Sequence, residues 1–146
     1  MKKFLSLVLA LVMTMSLVTI SAGAADFTDD ASITYEEAVD VMTAIGVVGG
    51  YADGSFNPNG TLVRQNMVTF LMRFARTMGV DTSARADLSG YTDAGQILPY
   101  AMDAMQWAVA EGIISGMSET TLAPNGLANR AQIATIIQRF ILNKLW

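Results

Sequence analysis

Two stretches of this chain are versions of one another. Residues 46–76 align without a gap on residues 112–142, at a spacing of 66. Gly46 and Gly50 match Gly112 and Gly116, and Pro58-Asn59-Gly60 matches Pro124-Asn125-Gly126. Arg64, Thr69, Arg73 and Phe74 match Arg130, Thr135, Arg139 and Phe140, so nine of thirty-one positions are identical with Gly and Pro in register. The likeness extends backward, since Phe27-Thr28-Asp29 resembles Tyr91-Thr92-Asp93 with a two-residue difference in length. The chain therefore divides into a module over 26–78, a linker over 79–89 rich in turn residues, and a module over 90–143. A unit this short cannot bury an apolar face alone and needs another copy beside it.

Each module reads as helix, Gly-rich loop, helix, which makes the expected fold all-α. In the first helix Tyr35, Ala38, Met42 and Ile45 share a face with Val41 beside them, and Thr34 with Glu37 fits a capping box. Its counterpart carries Leu98, Ala101, Met105 and Ala108, with Pro99 acceptable in a first turn. The second helices are marked by Met67, Phe70, Leu71, Phe74 and Met78, and by Ile133, Ile136, Ile137, Phe140 and Ile141. Asn129 and Gln132 form a capping pair for the latter. Gly50 and Gly116 are expected to end the first helices with positive φ. Asp53-Gly54 and Asn59-Gly60 are turn dipeptides, and Phe56 and Leu122 are expected to tuck under the loops as anchors.

Ahead of the repeats lies an export signal. Lys2 and Lys3 precede an apolar run over 4–20, and Ala22-Gly23-Ala24 supplies the small residues of a cleavage site. Residues 1–24 are read as a signal peptide, with cleavage after Ala24 or Ala25. An uncleaved membrane anchor is the less favoured alternative, because Asp26 follows directly and no other run has spanning length. With no Cys, lipid anchoring through a thioether and disulfides are both excluded, and the tail over 141–146 carries no covalent sorting signal. Attachment to an envelope is expected to be non-covalent. Net charge is −4, and loss of Lys2 and Lys3 leaves seven basic against thirteen acidic residues, or −6. That balance argues against nucleic acid and against an anionic membrane as partners.

Catalysis has little material to work with: no His, no Cys and no Gly-x-Ser-x-Gly elbow. Glu36 and Glu37 are paired carboxylates without an identifiable partner, which leaves a glycosidase formally open and disfavoured. Residues 53–57 lack the alternating oxygen ligands and closing Glu of a calcium loop, so they are read as a turn. The Met-rich helices are read as adaptable core, not as a cofactor box, and no cofactor is expected. The binding candidates are Arg64 and Arg130 at helix starts after a turn, where a guanidinium and free N–H groups suit an acidic sugar. The alternative for both is a structural Arg that pairs locally or braces a neighbouring loop. Trp107 could stack on a sugar ring, although a core position is the stronger reading, and Tyr51 beside the Asp53-Gly54 turn is the better exposed aromatic.

The combination of aromatic-x-Asp at the start, Gly-Ile/Val-x-x-Gly, Asp-Gly-x-Phe-x-Pro and a following Arg resembles the S-layer homology family over essentially the whole exported chain. The family's Thr-Arg-Ala-Glu signature falls on Val63-Arg64-Gln65-Asn66 and Asn129-Arg130-Ala131-Gln132, both of which keep Arg and lose Thr and Glu. The loop Asp-Gly is Asp53-Gly54 in the first module and Glu119-Thr120 in the second. The resemblance implies a secreted cell-wall protein that binds acidic or pyruvylated secondary cell-wall polysaccharide without catalysing a reaction. It also implies a pseudo-threefold bundle with ligand in grooves between modules, of which two modules form only part. The third could come from self-association, from another protein of the family, or not at all. The alternative function is structural self-association, or association with a surface-layer partner, without sugar binding.

Overall fold

The computed structural model describes residues 26–145; the export signal read over 1–24 lies outside them. Four α-helices dominate: α1 (Glu36–Ala44), α2 (Arg64–Thr77), α3 (Met102–Ala110) and α4 (Arg130–Lys144). Short 3-10 turns cover Asp30–Ser32, Ala94–Gln96 and Pro99–Ala101. Among the described residues there is no strand, only an isolated antiparallel bridge between Val63 and Leu127. No helix among them is long and apolar enough to cross a membrane. Each module is thus the helix–loop–helix unit that the repeat predicts.

The core forms between the modules. Helix α2 of the first module packs on α3 of the second. Val68, Met72 and Ala75 join Ala104, Met105, Trp107 and Ala108 in one buried cluster, and α4 adds Ile136 and Phe140. Phe140 meets Trp107 edge-on at 6.3 Å between ring centroids and Phe74 at 6.4 Å, the tilted geometry that aromatic quadrupoles favour. The segment read as a linker is tied to this core: Leu88 is buried, the Ala86 amide donates to the Gln106 carbonyl at 3.1 Å, and Arg85 lies 3.5 Å from Asp103. By contrast, α1 has no buried residue.

All four helix faces differ in part from the sequence expectation: Tyr35 and Ala38 of the α1 stripe are exposed, Phe70, Leu71 and Phe74 of the α2 stripe are half-buried, and Ile137 and Ile141 of the α4 stripe are exposed. In the second module the apolar phase is read through Leu98, yet residues 99–101 form a 3-10 turn that rotates each residue further than an α-helix does. Leu98, ahead of that turn, is exposed, whereas Ala101, Met105 and Ala108 are fully buried as expected, together with Ala104 and Trp107. Met78, just past the end of α2, is exposed rather than part of its buried face. Capping divides in the same way. Asn129 and Gln132 form a full capping box on α4, while Thr34 and Glu37 do not cap α1, whose N-cap is Tyr35 without a side-chain bond.

The loops repeat one hydrogen-bond plan. Asp29 accepts from the Phe56 and Asn57 amides, both at 2.8 Å, and Asp93 accepts from Leu122 at 2.9 Å and Ala123 at 2.7 Å. Asn57 and Ala123 both take positive φ, so the plan holds even where Asn becomes Ala. Phe56 stacks at a tilt on Phe27, 5.2 Å between centroids, and Leu122 is fully buried, as expected of the two anchors. The positive-φ glycines that end α1 and α3 are Gly46 and Gly112, not Gly50 and Gly116. Gly50 and Gly116 are required by closeness instead. A Cβ on Gly50 would lie 2.5 Å from the Phe27 ring and 2.6 Å from the Ser55 carbonyl, and one on Gly116 would lie 2.2 Å from the Ser118 carbonyl.

Gly116→Ala is expected to destabilise the fold by about 2 kcal/mol in urea unfolding, and Gly49→Ala, where a Cβ meets nothing within 4 Å, by less than about 0.5 kcal/mol. Acid should loosen the same loops. The Phe56 amide is the largest cause holding the Asp29 carboxyl below its ordinary value. For Asp93, desolvation pushes upward, but the Leu122 and Ala123 amides outweigh it and the net direction is down. Their stabilisation is complete above the ordinary carboxylate range and is lost as pH falls through the lowered folded values. Thermal melts should therefore weaken below about pH 4, and an Asp29→Ala/Asp93→Ala variant should show a flatter acid dependence.

Candidate functional site

The start of α2 is set into the loop of the second module. Its N-cap, Val63, brings no side-chain bond, so the first helical amides need outside acceptors. The Arg64 amide donates to the Gly126 carbonyl at 2.9 Å and the Gln65 amide to Pro124 at 3.0 Å. Arg64 Nε then donates to the Leu122 carbonyl and Nη2 to the Ser115 carbonyl, each at 3.1 Å. Gln65 Nε2 donates to Asn125 Oδ1 at 2.6 Å, and Gln65 Oε1 accepts from the Leu98 amide at 2.9 Å. Arg64 is 4% exposed and Gln65 1%. Burial lowers the Arg64 guanidinium pKa but leaves it charged, and no carboxylate among the described residues forms an ion pair with it.

This joint gives two of the sequence candidates the structural roles weighed for them. Arg64 gives Nε and Nη2 to loop carbonyls and braces the modules, the structural role weighed for it beside sugar binding. Trp107 is fully buried and has no ring face for stacking. Its Nε1–H finds no acceptor in the described structure, a cost that its large apolar contact area offsets. The other candidates stay at the surface. Tyr51 is 54% exposed, and Asp53, Gly54 and Arg130 are exposed as well. Asp53 accepts from the Ser55 hydroxyl at 2.7 Å and the Ser55 amide at 3.0 Å, which hold its carboxyl below the ordinary value. It is the turn that the sequence suggested, and among the described residues no group of three His, Cys, Asp or Glu could hold a metal.

Tyr51 lines a groove of about 590 Å³ between the first loop, the outer face of α2 and the start of the second module. Asn66, Thr69, Phe70 and Arg73 form its α2 wall, and Tyr100 reaches in from the second module. The Tyr100 hydroxyl donates to Asn66 Oδ1, which holds the ring in place. Burial raises the Tyr100 phenol, Tyr51 nearby adds to the shift, and Arg73 opposes it, so both aromatics and the cation act within one field. Asp53, Gly54 and Arg130 are not among the lining residues. The second module carries a repeat-related groove of about 270 Å³, lined by Ser115, Met117, Gln132, Thr135 and Arg139, with Arg64 on its wall. Met117 stands where the first groove has Tyr51, so only the first offers aromatic surface and a cation together.

Sequence reasoning overlooked Arg73, Asn66 and Tyr100. Arg73 did leave a trace: it recurs as Arg139, a charge kept within an amphipathic helix. Asn66 closes the Val63–Asn66 signature, but its meeting with Tyr100 left no trace, because it joins residues 34 apart in two different modules.

Comparison with known proteins agrees with the repeat. The family model described as the S-layer homology domain matches residues 26–65 and 90–134. The chain is 30% identical over 116 residues to the Surface-layer 125 kDa protein of Lysinibacillus sphaericus, covering 77% of this chain and 9% of that protein. It is 32% identical over 108 residues to Cell surface glycoprotein 1 of Acetivibrio thermocellus, covering 70% and 4%. It is 25% identical over 126 residues to the Cellulosome-anchoring protein of the same organism, covering 75% and 26%. The chain thus spans about a quarter or less of the length of each of these relatives. No solved structure matches it.

The joint makes the two repeat-related arginines unequal. Arg64→Ala is expected to cost about 3 kcal/mol, since it removes two charge-assisted bonds and strands the carbonyl of the buried Leu122. Arg130→Ala should change the stability of the isolated chain by less than about 0.5 kcal/mol. Urea unfolding of both variants at low protein concentration measures the difference.

Proposed function

The chain belongs to the S-layer homology domain family, and from that premise we propose that it is a non-catalytic cell-surface protein that attaches to the envelope by binding acidic cell-wall polysaccharide. The observation that carries the reading is the seam groove, in which Arg73 sits with Tyr51, Tyr100 and Asn66. Aromatic faces suit the apolar faces of sugar rings, and a guanidinium suits a carboxylate or a ketal-linked acid through paired hydrogen bonds. Asn66 and Thr69 add polar partners for hydroxyl groups. The net negative chain needs such a local cation, because its overall charge repels an anionic polymer. The relatives' names point to the same place: one is a surface-layer protein and one anchors cellulosomes.

A second reading, association of the modules without sugar, is favoured by the exposed Ile137, Ile141 and Leu142 on α4. It is compatible with the first, since none of those residues lines the seam groove.

Binding to purified cell-wall sacculi tests the proposal. Arg73→Ala and Tyr51→Ala should each weaken wall binding at least about tenfold while leaving the melting curve close to wild type. Chemical removal of acidic decorations from the wall should weaken the wild type to a similar degree. Retention of full affinity by Arg73→Ala, or by the wild type on stripped walls, would refute the assignment.

A further inference from the structure

The joint that holds the two modules together has a second set of parts, and in this chain they stay apart. Shifting each partner by the 66-residue repeat turns the α2 end, Val63-Arg64, into Asn129-Arg130. The same shift turns the acceptors Ser115, Leu122, Pro124 and Gly126 into Gly49, Phe56, Pro58 and Gly60. Arg130 and Ala131 are exposed, and their amides have no partner among the described residues, whereas those of Arg64 and Gln65 are both bonded. The carbonyls of Gly49, Phe56, Pro58 and Gly60 likewise receive no hydrogen bond among the described residues. Phe56 and Pro58 are only half-buried, while Leu122 and Pro124 are buried under α2.

The helix faces follow the same rule. Val68, Met72 and Ala75 of α2 are buried against the second module; their counterparts on α4 are Ala134, Gln138 and Ile141, and all three are exposed. With Ile137 and Leu142 these residues line a shallow apolar depression. The receiving helix shows the matching deficit, since α1 has no buried residue while its counterpart α3 buries Ala104, Met105, Trp107 and Ala108.

We propose that a second copy of this chain docks its α4 end on the first module, repeating between molecules the joint that Arg64 makes within one. Both halves of the joint are on this chain and correspond residue by residue, which is why the partner assigned is another copy. Arg130 would reach the Gly49 and Phe56 carbonyls and so enter the rim of the seam groove, as Arg64 lines the smaller one. The donor and acceptor faces are different surfaces, so the contact is heterologous and either closes into a ring or continues as a chain. Ala131 in place of Gln65 and Gln138 in place of Met72 make it weaker than the internal joint. The inference does not depend on the sugar reading, because molecular mass tests one and wall retention the other.

The test uses the chain purified after export. Sedimentation velocity from about 1 to about 100 µM should show mass rising above the monomer with concentration, and Arg130→Ala should shift that rise to at least about tenfold higher concentration. The bridge between Val63 and Leu127 has Asn129 and Thr61 as its repeat counterparts. Paired residues at such a bridge lie within reach of a disulfide. Mixing Thr61→Cys chains with Asn129→Cys chains should therefore give a covalent heterodimer on oxidation, in a protein that otherwise has no Cys. A monomer throughout the range overturns the proposal, whether or not a different protein binds α4. So does an association in which the mixed cysteine variants fail to cross-link while circular dichroism shows both folded.

Discussion

A buried guanidinium joins the two halves of this protein. Arg64 carries its charge inside the fold, where it would be costly unless its donors were met, and the carbonyls of Ser115 and Leu122 meet its Nη2 and Nε. The helix end beside it is capped by the neighbouring module and not by its own side chains, through the Gly126 and Pro124 carbonyls. The second module's loop therefore completes the first module's helix. Once that end is fixed, the direction of α2 is fixed, and its apolar face falls on α3.

The position of the core follows. The largest fully buried side chain, Trp107, belongs to the second module and lies in one cluster with residues of α2 from the first. The helix α1, without a neighbour equivalent to α2, has no fully buried residue and only half-buries Val39, Val41 and Met42, while α3 buries four residues between α2 and Phe140 of α4. The seam groove is a product of the same docking. Tyr100 reaches Asn66 and shares a groove with Arg73 only because the second module is held against α2, so the groove exists only with the joint intact.

The two grooves show how a repeated framework can carry different surfaces. Asp29 and Asp93 hold the loops in one geometry through paired backbone amides, and Gly50 and Gly116 leave room for it. On that shared frame Tyr51 is exchanged for Met117 and Asn66 for Gln132. The frame conserves the position of Arg73 and Arg139 on the groove wall, while the aromatic content differs between the modules.

Local and periodic features were legible in the sequence alone: two related modules, a helix–loop–helix in each, the capping box at Asn129 and Gln132, the turn at Asp53, and the anchors Phe56 and Leu122. These depend on residues near one another in the chain, or on a spacing that survives as a pattern. The α3 stripe holds at Ala101, Met105 and Ala108, and Trp107 is buried as its stronger reading has it; Leu98, just ahead of the 3-10 turn at Pro99–Ala101, is the exposed exception. The sequence could not show that Arg64 is buried and Arg130 exposed, since the two sit in the same local motif. Only packing separated them. Arg64 meets the second module, Arg130 meets no other module among the described residues, and burial is a property of what lies across the contact.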